Sequence, residues 1–178
     1  MGQKSGDAPV FSVYNRSVTA GTLIVSNIVP FVSGYTMSCF LDFDVITNPT
    51  TGYGRLYKLI ACYPYKRFTV GKDSGNYLYL SFDWQQVRHN EQSTKSTPGR
   101  KRIAVFHEAD SNLITFKYKD DNGDLITFQY TTTFVETTEY LKLGGSENTD
   151  HSLPPGTVNS FEVYDKIMDS DFVDNFFA

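Results

Sequence analysis

Two stretches of the chain carry side chains suited to holding a sugar: Tyr53, Arg55, Tyr63, Tyr65 and Arg67 in one, and Tyr77, Tyr79, Asp83 and Trp84 in the other. Flat rings that stack on the C–H face of a sugar, beside planar polar groups that take its hydroxyls, are what a shallow glycan-binding surface needs. In the second stretch Leu78, Leu80, Phe82 and Trp84 alternate with Tyr77, Tyr79, Ser81 and Asp83, so a strand there turns the hydroxyl-bearing rings and the carboxylate to one side. Trp84 falls on the apolar side, where a core role competes with a binding one. Taken singly each of these residues is more often structural or solvated; taken together they point to a sugar- or peptide-binding surface.

Catalytic chemistry finds less support. Asp42 and Asp44 share a face of one expected strand, and Glu108 and Asp110 share another, but neither pair has a third carboxylate beside it. Both pairs read as ordinary solvent-facing or turn carboxylates. His89, His107 and His151 lack a Gly-x-Ser-x-Gly elbow or a Cys–His signature, and His107 alternates with Ile103 and Val105 as an interior imidazole would. No phosphate loop or dinucleotide fingerprint is present. The chain is therefore read as a non-enzyme. Asp120, Asp121, Asn122 and Asp124 could offer oxygen ligands to calcium, with Asp73 a weaker option, but the same cluster is what a tight hairpin turn wants, and no cofactor is expected.

The elements that must position these residues are strands. Hydrophobic residues make up 40% of the 178 and aromatics 15%, with 14 Phe and 12 Tyr against one Trp, which suits pleated, half-buried surfaces. Tyr35 to Val45 is the clearest strand: Tyr35, Met37, Cys39, Leu41, Phe43 and Val45 form a core face, while Thr36, Ser38, Phe40, Asp42 and Asp44 face solvent or the hollow of a curved sheet. Further strands are expected near Val10 to Val13, Thr22 to Val29, Arg55 to Tyr63, Tyr77 to Trp84, Ile103 to Glu108, Leu113 to Tyr118 and Leu125 to Thr133. The run from Tyr63 through Gly71, Asp73 and Gly75 reads as a connection, and Gln85 to Gly99 as a long polar one. Near the C-terminus a strand stops at Gly144-Gly145, another runs from Val158 to Tyr164, and Asp169 or Ser170 caps a short helix with Phe172, Val173, Phe176 and Phe177 on one side. One domain, residues 11–178, is expected after a polar tail or linker, residues 1–10.

That closing order of parts, carried by Leu141, Leu143, Gly144, Gly145, Gly156, Val158, Phe161, Val163, Tyr164, Asp165 and Phe172, resembles the end of laminin G-like domains of the concanavalin A-like lectin and glucanase superfamily. The stretch from Arg100 to Gly123 looks like that superfamily's paired strands, with Arg100-Lys101-Arg102 where a Trp often stands. The resemblance implies an all-β, two-sheet antiparallel jelly-roll sandwich (concanavalin A-like) with a short C-terminal helix. The Glu-x-Asp-x-(x)-Glu strand of the superfamily's glucanases is absent. Calcium at a sheet rim, common in laminin G-like domains, would fall to the Asp120–Asp124 turn.

The net charge of −4 argues against a nucleic-acid surface, and Arg100-Lys101-Arg102, following Pro98-Gly99, reads as a solvated loop-to-strand junction. No apolar run is long enough to span a bilayer, and no charged-then-apolar leader opens the chain. Cys39 and Cys62 sit in apolar strand patterns and read as buried free thiols. The expected function is a non-catalytic carbohydrate-binding module for adhesion to a glycan-bearing cell surface, extracellular or on a virion, with polysaccharide as partner and display within a larger multimeric assembly. A bacterial surface protein or a phage tail or baseplate component is the expected owner. Its rivals are a protein–protein interaction domain of the same fold and a glycoside hydrolase or lyase using Asp42, Asp83 or Glu108.

Overall fold

The computed structural model describes residues 8–19, 22–29, 35–45, 57–62, 68–72, 78–81, 99–111, 113–120, 122–131, 140–144, 153 and 155–178, with strands 57–62, 68–72 and 78–81 described by their backbone. Eleven strands and one helix lie among these residues. A six-stranded antiparallel sheet takes the order β1 (Phe11–Val18), β11 (Gly156–Tyr164), β3 (Met37–Val45), β7 (Gly99–Glu108), β8 (Leu113–Lys119), β9 (Leu125–Thr131). A second sheet takes the order β2 (Ile24–Val25), β10 (Leu141–Leu143), β4 (Tyr57–Cys62), β5 (Phe68–Lys72), β6 (Leu78–Ser81). The expected antiparallel β-sandwich is the fold that forms.

Strand β3 is the axis of the larger sheet because it is hydrogen-bonded along both edges and covered on both faces. Its odd-numbered residues Met37, Cys39, Leu41 and Phe43 are fully buried with Ile103, Val105, Ile114, Phe161 and Val163 of neighbouring strands, against Ile24, Leu141 and Leu143 of the second sheet. That is the inner core, and the period-2 alternation of the sequence assigns it correctly. His107 lies there too, opposite Met37. Burial holds its imidazole below the ordinary histidine range, opposed by a hydrogen bond that the ring donates to the Tyr35 backbone and by nearby Glu108. Cys39 is a buried free thiol, its pKa pushed upward by the same desolvation.

On the other face the even-numbered residues of β3 divide. Phe40 is fully buried under α1 (Ser170–Phe177), its ring centroid 5.0 Å from both Phe172 and Phe176, 5.6 Å from Phe106 and 5.9 Å from Tyr164. The helix forms because Asp169 caps it, accepting from the Phe172 amide at 2.9 Å, and because Phe172, Val173, Phe176 and Phe177 share a side. Ser38 ties down the lead-in, donating to the Lys166 carbonyl at 2.7 Å and accepting from the Met168 amide at 3.0 Å. The helix covers only part of this outer face. Farther along β3, Asp42 and Asp44 lie beyond it.

Three expectations need correction. Strand β7 begins at Gly99 rather than Ile103, so Arg100, Lys101 and Arg102 lie within the sheet; Lys101 is 5% exposed on the inner side opposite Phe43, and the solvated-junction reading fails for it. A strand, β5, forms at Phe68–Lys72 where a connection was expected, paired to β4 and β6. Asp42 is 6% exposed, so it is not a solvent-facing carboxylate. Asp120 caps the turn after β8, its carboxylate accepting from the amides of Asn122 at 2.9 Å and Asp124 at 2.8 Å. Among the described residues no helix is long and apolar enough to cross a bilayer.

Gly156 opens β11 where that strand passes β3 so closely that a Cβ would collide with the Asp44 carbonyl and press on the Phe43 ring. Gly156→Ala is expected to lower the unfolding free energy by about 1–3 kcal/mol, as overpacking does. Urea unfolding would show it as a lower midpoint with an unchanged slope.

Candidate functional site

The part of the outer face that α1 leaves uncovered is polar, and sheet register sets which side chains meet on it. Asp42 lies opposite Ser160 of β11 and Arg102 of β7, and Asp44 lies opposite Thr157 and Arg100. Ser160 in turn pairs with Tyr14 of β1, the edge strand. One row across four strands therefore reads Tyr14, Ser160, Asp42, Arg102, about 14 Å from end to end at the usual strand spacing. The next row reads Ser12, Glu162, Phe40, Ala104, Lys117, Thr127.

Asp42 is the centre of this surface. Its carboxylate takes Arg100 in a two-pronged contact, Nε at 2.8 Å from Oδ1 and Nη2 at 2.5 Å from Oδ2, with Arg102 Nε 3.7 Å from Oδ2. Asn159 completes the cluster, its amide nitrogen 3.1 Å from Asp42 Oδ1 and 3.1 Å from Asp44 Oδ2. Burial pushes the Asp42 carboxyl upward, but the hydrogen bonds from Arg100 and Asn159 and the two guanidinium charges outweigh it and hold the group below the usual carboxylate range. Side-chain exposure grades from 9% at Asp42 to 19% at Arg102 and 53% at Arg100, so the anion is sealed while the cations reach solvent.

Asn159 is available because of a β-bulge. The register of β11 against β3 slips between Val158 and Ser160, which places an extra residue on the strand and frees its amide for both aspartates. At the edge, Tyr14 is 51% exposed and donates to Glu162 Oε1 at 2.5 Å; Tyr164 donates to Glu162 Oε2 at 2.9 Å. The result is a rigid, shallow surface with one presented ring, fixed planar polar groups and exposed guanidinium edges.

The residues expected from sequence to bind sugar are not among those that build this surface in the described part of the chain. Tyr53, Arg55, Tyr63, Tyr65, Arg67, Tyr77, Asp83 and Trp84 fall outside the described residues, and Tyr79 is placed by its backbone alone, on β6 opposite Gly71 in the second sheet. Sequence reading passed over Asn159, Tyr14 and the arginine–aspartate contact. Two signals were present. Asp42-x-Asp44 and Arg100-x-Arg102 carry opposite charge at the same two-residue spacing, and the buried pair Val158 and Phe161 is three apart, which a regular strand does not allow.

The arrangement is poor for hydrolysis. Asp42 is held ionised near neutral pH and so cannot serve as the proton donor that glycosidic cleavage needs. Glu108 lies six residues along β7 from the partner of Asp42, about 20 Å away at strand rise, far beyond the span of a working carboxylate pair. Among the described residues no cluster of three or more His, Cys, Asp or Glu could hold a metal ion.

No family model matches the sequence, and no curated protein is similar to it in sequence. Similarity appears at the level of structure. The CBM40 domain of a Ruminococcus gnavus IT-sialidase, solved bound to α2,3 sialyllactose, superimposes with a TM-score of 0.63 at 11% identity, over 96% of this chain and 100% of that one. A leech intramolecular trans-sialidase complexed with 2,7-anhydro-Neu5Ac gives 0.61 at 10% identity, over 95% of this chain and 28% of that one. Botulinum neurotoxin type C, whose cell entry depends on two ganglioside molecules, gives 0.51 at 12% identity, over 92% and 46%. At such identities the likeness establishes a shared β-sandwich fold.

Because the folded Asp42 has a depressed pKa, its stabilising contribution is present above the unfolded carboxylate pKa of about 3.9 and is lost as pH falls through the lower folded value. Asp42→Asn is expected to be less stable than the parent at pH 6, with the gap narrowing as pH drops from 5 towards 2. Unfolding free energies across that range check it, and a constant gap would show that the charge of Asp42 is irrelevant to its role.

Proposed function

We propose that this chain is a non-catalytic carbohydrate-binding module that recognises glycan on the uncovered outer face of its larger sheet. The observation that carries the reading is the row Tyr14, Ser160, Asp42, Arg102: an exposed ring at one end, a partly exposed guanidinium at the other, and between them a sealed carboxylate that also fixes Arg100 and Asn159. Its length, about 14 Å, suits two or three sugar units rather than an extended polymer-filling cleft. Likeness over the whole chain to a domain solved with sialyllactose supports the same direction.

The sequence-derived set of Tyr53, Arg55, Tyr63, Tyr65, Arg67, Tyr77, Tyr79, Asp83 and Trp84 is retained as a rival location for the same activity. Adhesion to a glycan-bearing cell surface, a place outside the cell or on a virion such as a phage tail, and multivalent display belong to the proposal as well. Weak single-site affinity raised by repetition is the usual logic of such modules.

Calorimetric titration of the full chain with lactose and with 3′-sialyllactose tests the reading. Saturable binding is expected, weakened roughly fivefold by Tyr14→Ala, the loss of about 1 kcal/mol of ring contact, with the thermal midpoint little changed. Binding that survives Tyr14→Ala and Arg102→Gln but fails in Tyr65→Ala or Tyr79→Ala would move the site to the rival location. Absence of saturable binding to any glycan, with capture of a protein partner instead, would overturn the function itself.

A further inference from the structure

Charge is unevenly distributed over the outer face. Arg100 and Arg102 on β7 are joined on the adjacent β8 by Lys117 and Lys119, all on the same side of the sheet: Lys117 faces Ala104, two residues from Arg102, and Lys119, by the same register, comes level with Arg102 itself. At that diagonal the Arg102 and Lys117 side chains are within about 7–8 Å at their roots, close enough to converge on one small group. Four cations here meet two carboxylates, Asp42 and Asp44, and both carboxylates lie on β3, tied to Arg100 and Asn159. Four cations thus cluster on β7 and β8, on a chain whose overall charge is −4.

Among the described residues the lysines have no counter-charge of their own. Among the described residues neither Lys117 nor Lys119 makes an ion pair, and the nearest acidic side chain along the strand, Asp120, is turned into its own hairpin to hold the Asn122 and Asp124 amides. Opposite them on β9 stand Thr127 and Leu125, with Gln129 donating to Thr115 at 3.0 Å farther along the face. Like charges placed on neighbouring strands destabilise a sheet, and nothing in the fold requires lysine at these half-buried positions.

The geometry points to an acidic glycan as the ligand of this face, its carboxylate or sulfate group held between Arg102 and Lys119, with Lys117 on the diagonal adding attraction at longer range. The inference rests on the proposed carbohydrate-binding reading and specifies its substrate class. The planar guanidinium of Arg102 favours a carboxylate, which it can take through two parallel hydrogen bonds. Arg100, already committed to Asp42, supplies the rigid wall against which the sugar would lie. A positive patch on an acidic protein also steers anionic ligands to one face and away from the rest.

Titrations of the full chain separate the possibilities. The ligands are 3′-sialyllactose, a uronate oligosaccharide, its carboxyl-reduced form, a sulfated oligosaccharide and neutral lactose. The acidic sugars are expected to bind at least about tenfold more tightly than their neutral counterparts, with affinity falling as salt rises. Lys117→Gln combined with Lys119→Gln should cost about tenfold on the acidic ligand and leave any binding of the neutral one unchanged. The uronate and sulfated arms tell which anion is preferred. If the neutral and carboxyl-reduced sugars bind as tightly as the acidic ones, or if the double variant binds acid like the parent, the acidic-ligand inference is wrong while the glycan-binding reading survives. If no sugar of either kind binds, both fall.

Discussion

The structure depends on a single strand having no solvent-facing side. Strand β3 is hydrogen-bonded along both edges, faces the second sheet with one set of side chains, and is capped or charge-neutralised over the other. Such a strand must satisfy two different surroundings with alternate residues. Met37, Cys39, Leu41, Phe43 and Val45 do so by being apolar. On the opposite side the solution changes along the strand, from Phe40 beneath a helix to Asp42 inside a web of hydrogen bonds.

That change divides the outer face into two territories with different physics. Around Phe40 the contacts are aromatic edges and faces, which gain from area burial and from ring geometry. Around Asp42 they are charge-assisted hydrogen bonds, where a carboxylate taken out of water is kept ionised by two guanidinium groups and an amide. The helix ends the first territory, and its short length leaves the second open. A rigidly held polar surface that the helix does not reach is thus a by-product of how far its eight residues extend.

Holding such a surface rigid matters for weak ligands. Side chains already fixed by neighbours lose little freedom when a sugar arrives, so modest contacts can register as affinity. Asn159 is fixed between two aspartates, Glu162 between two tyrosines, and Arg100 against Asp42. The groups nearest solvent are Tyr14 and Arg100, each held by one carboxylate and open along its outer edge.

By itself the sequence determined the alternation of β3, the inner core, the turn capped by Asp120 and the Asp169-capped terminal helix, because each follows from a local period or a side chain bonding its own backbone. It located the sandwich correctly, and the resemblance near the C-terminus agreed with it. It could not place β5, whose five residues include Gly71 and carry too little alternation to stand out from the turns around them. Nor could it reveal that Asp42 would be sealed, that Arg100 and Arg102 would reach it, or that Asn159 would bulge out between strands. Those facts are set by cross-strand register, which joins residues 58 and 117 positions apart and has no trace in either segment alone.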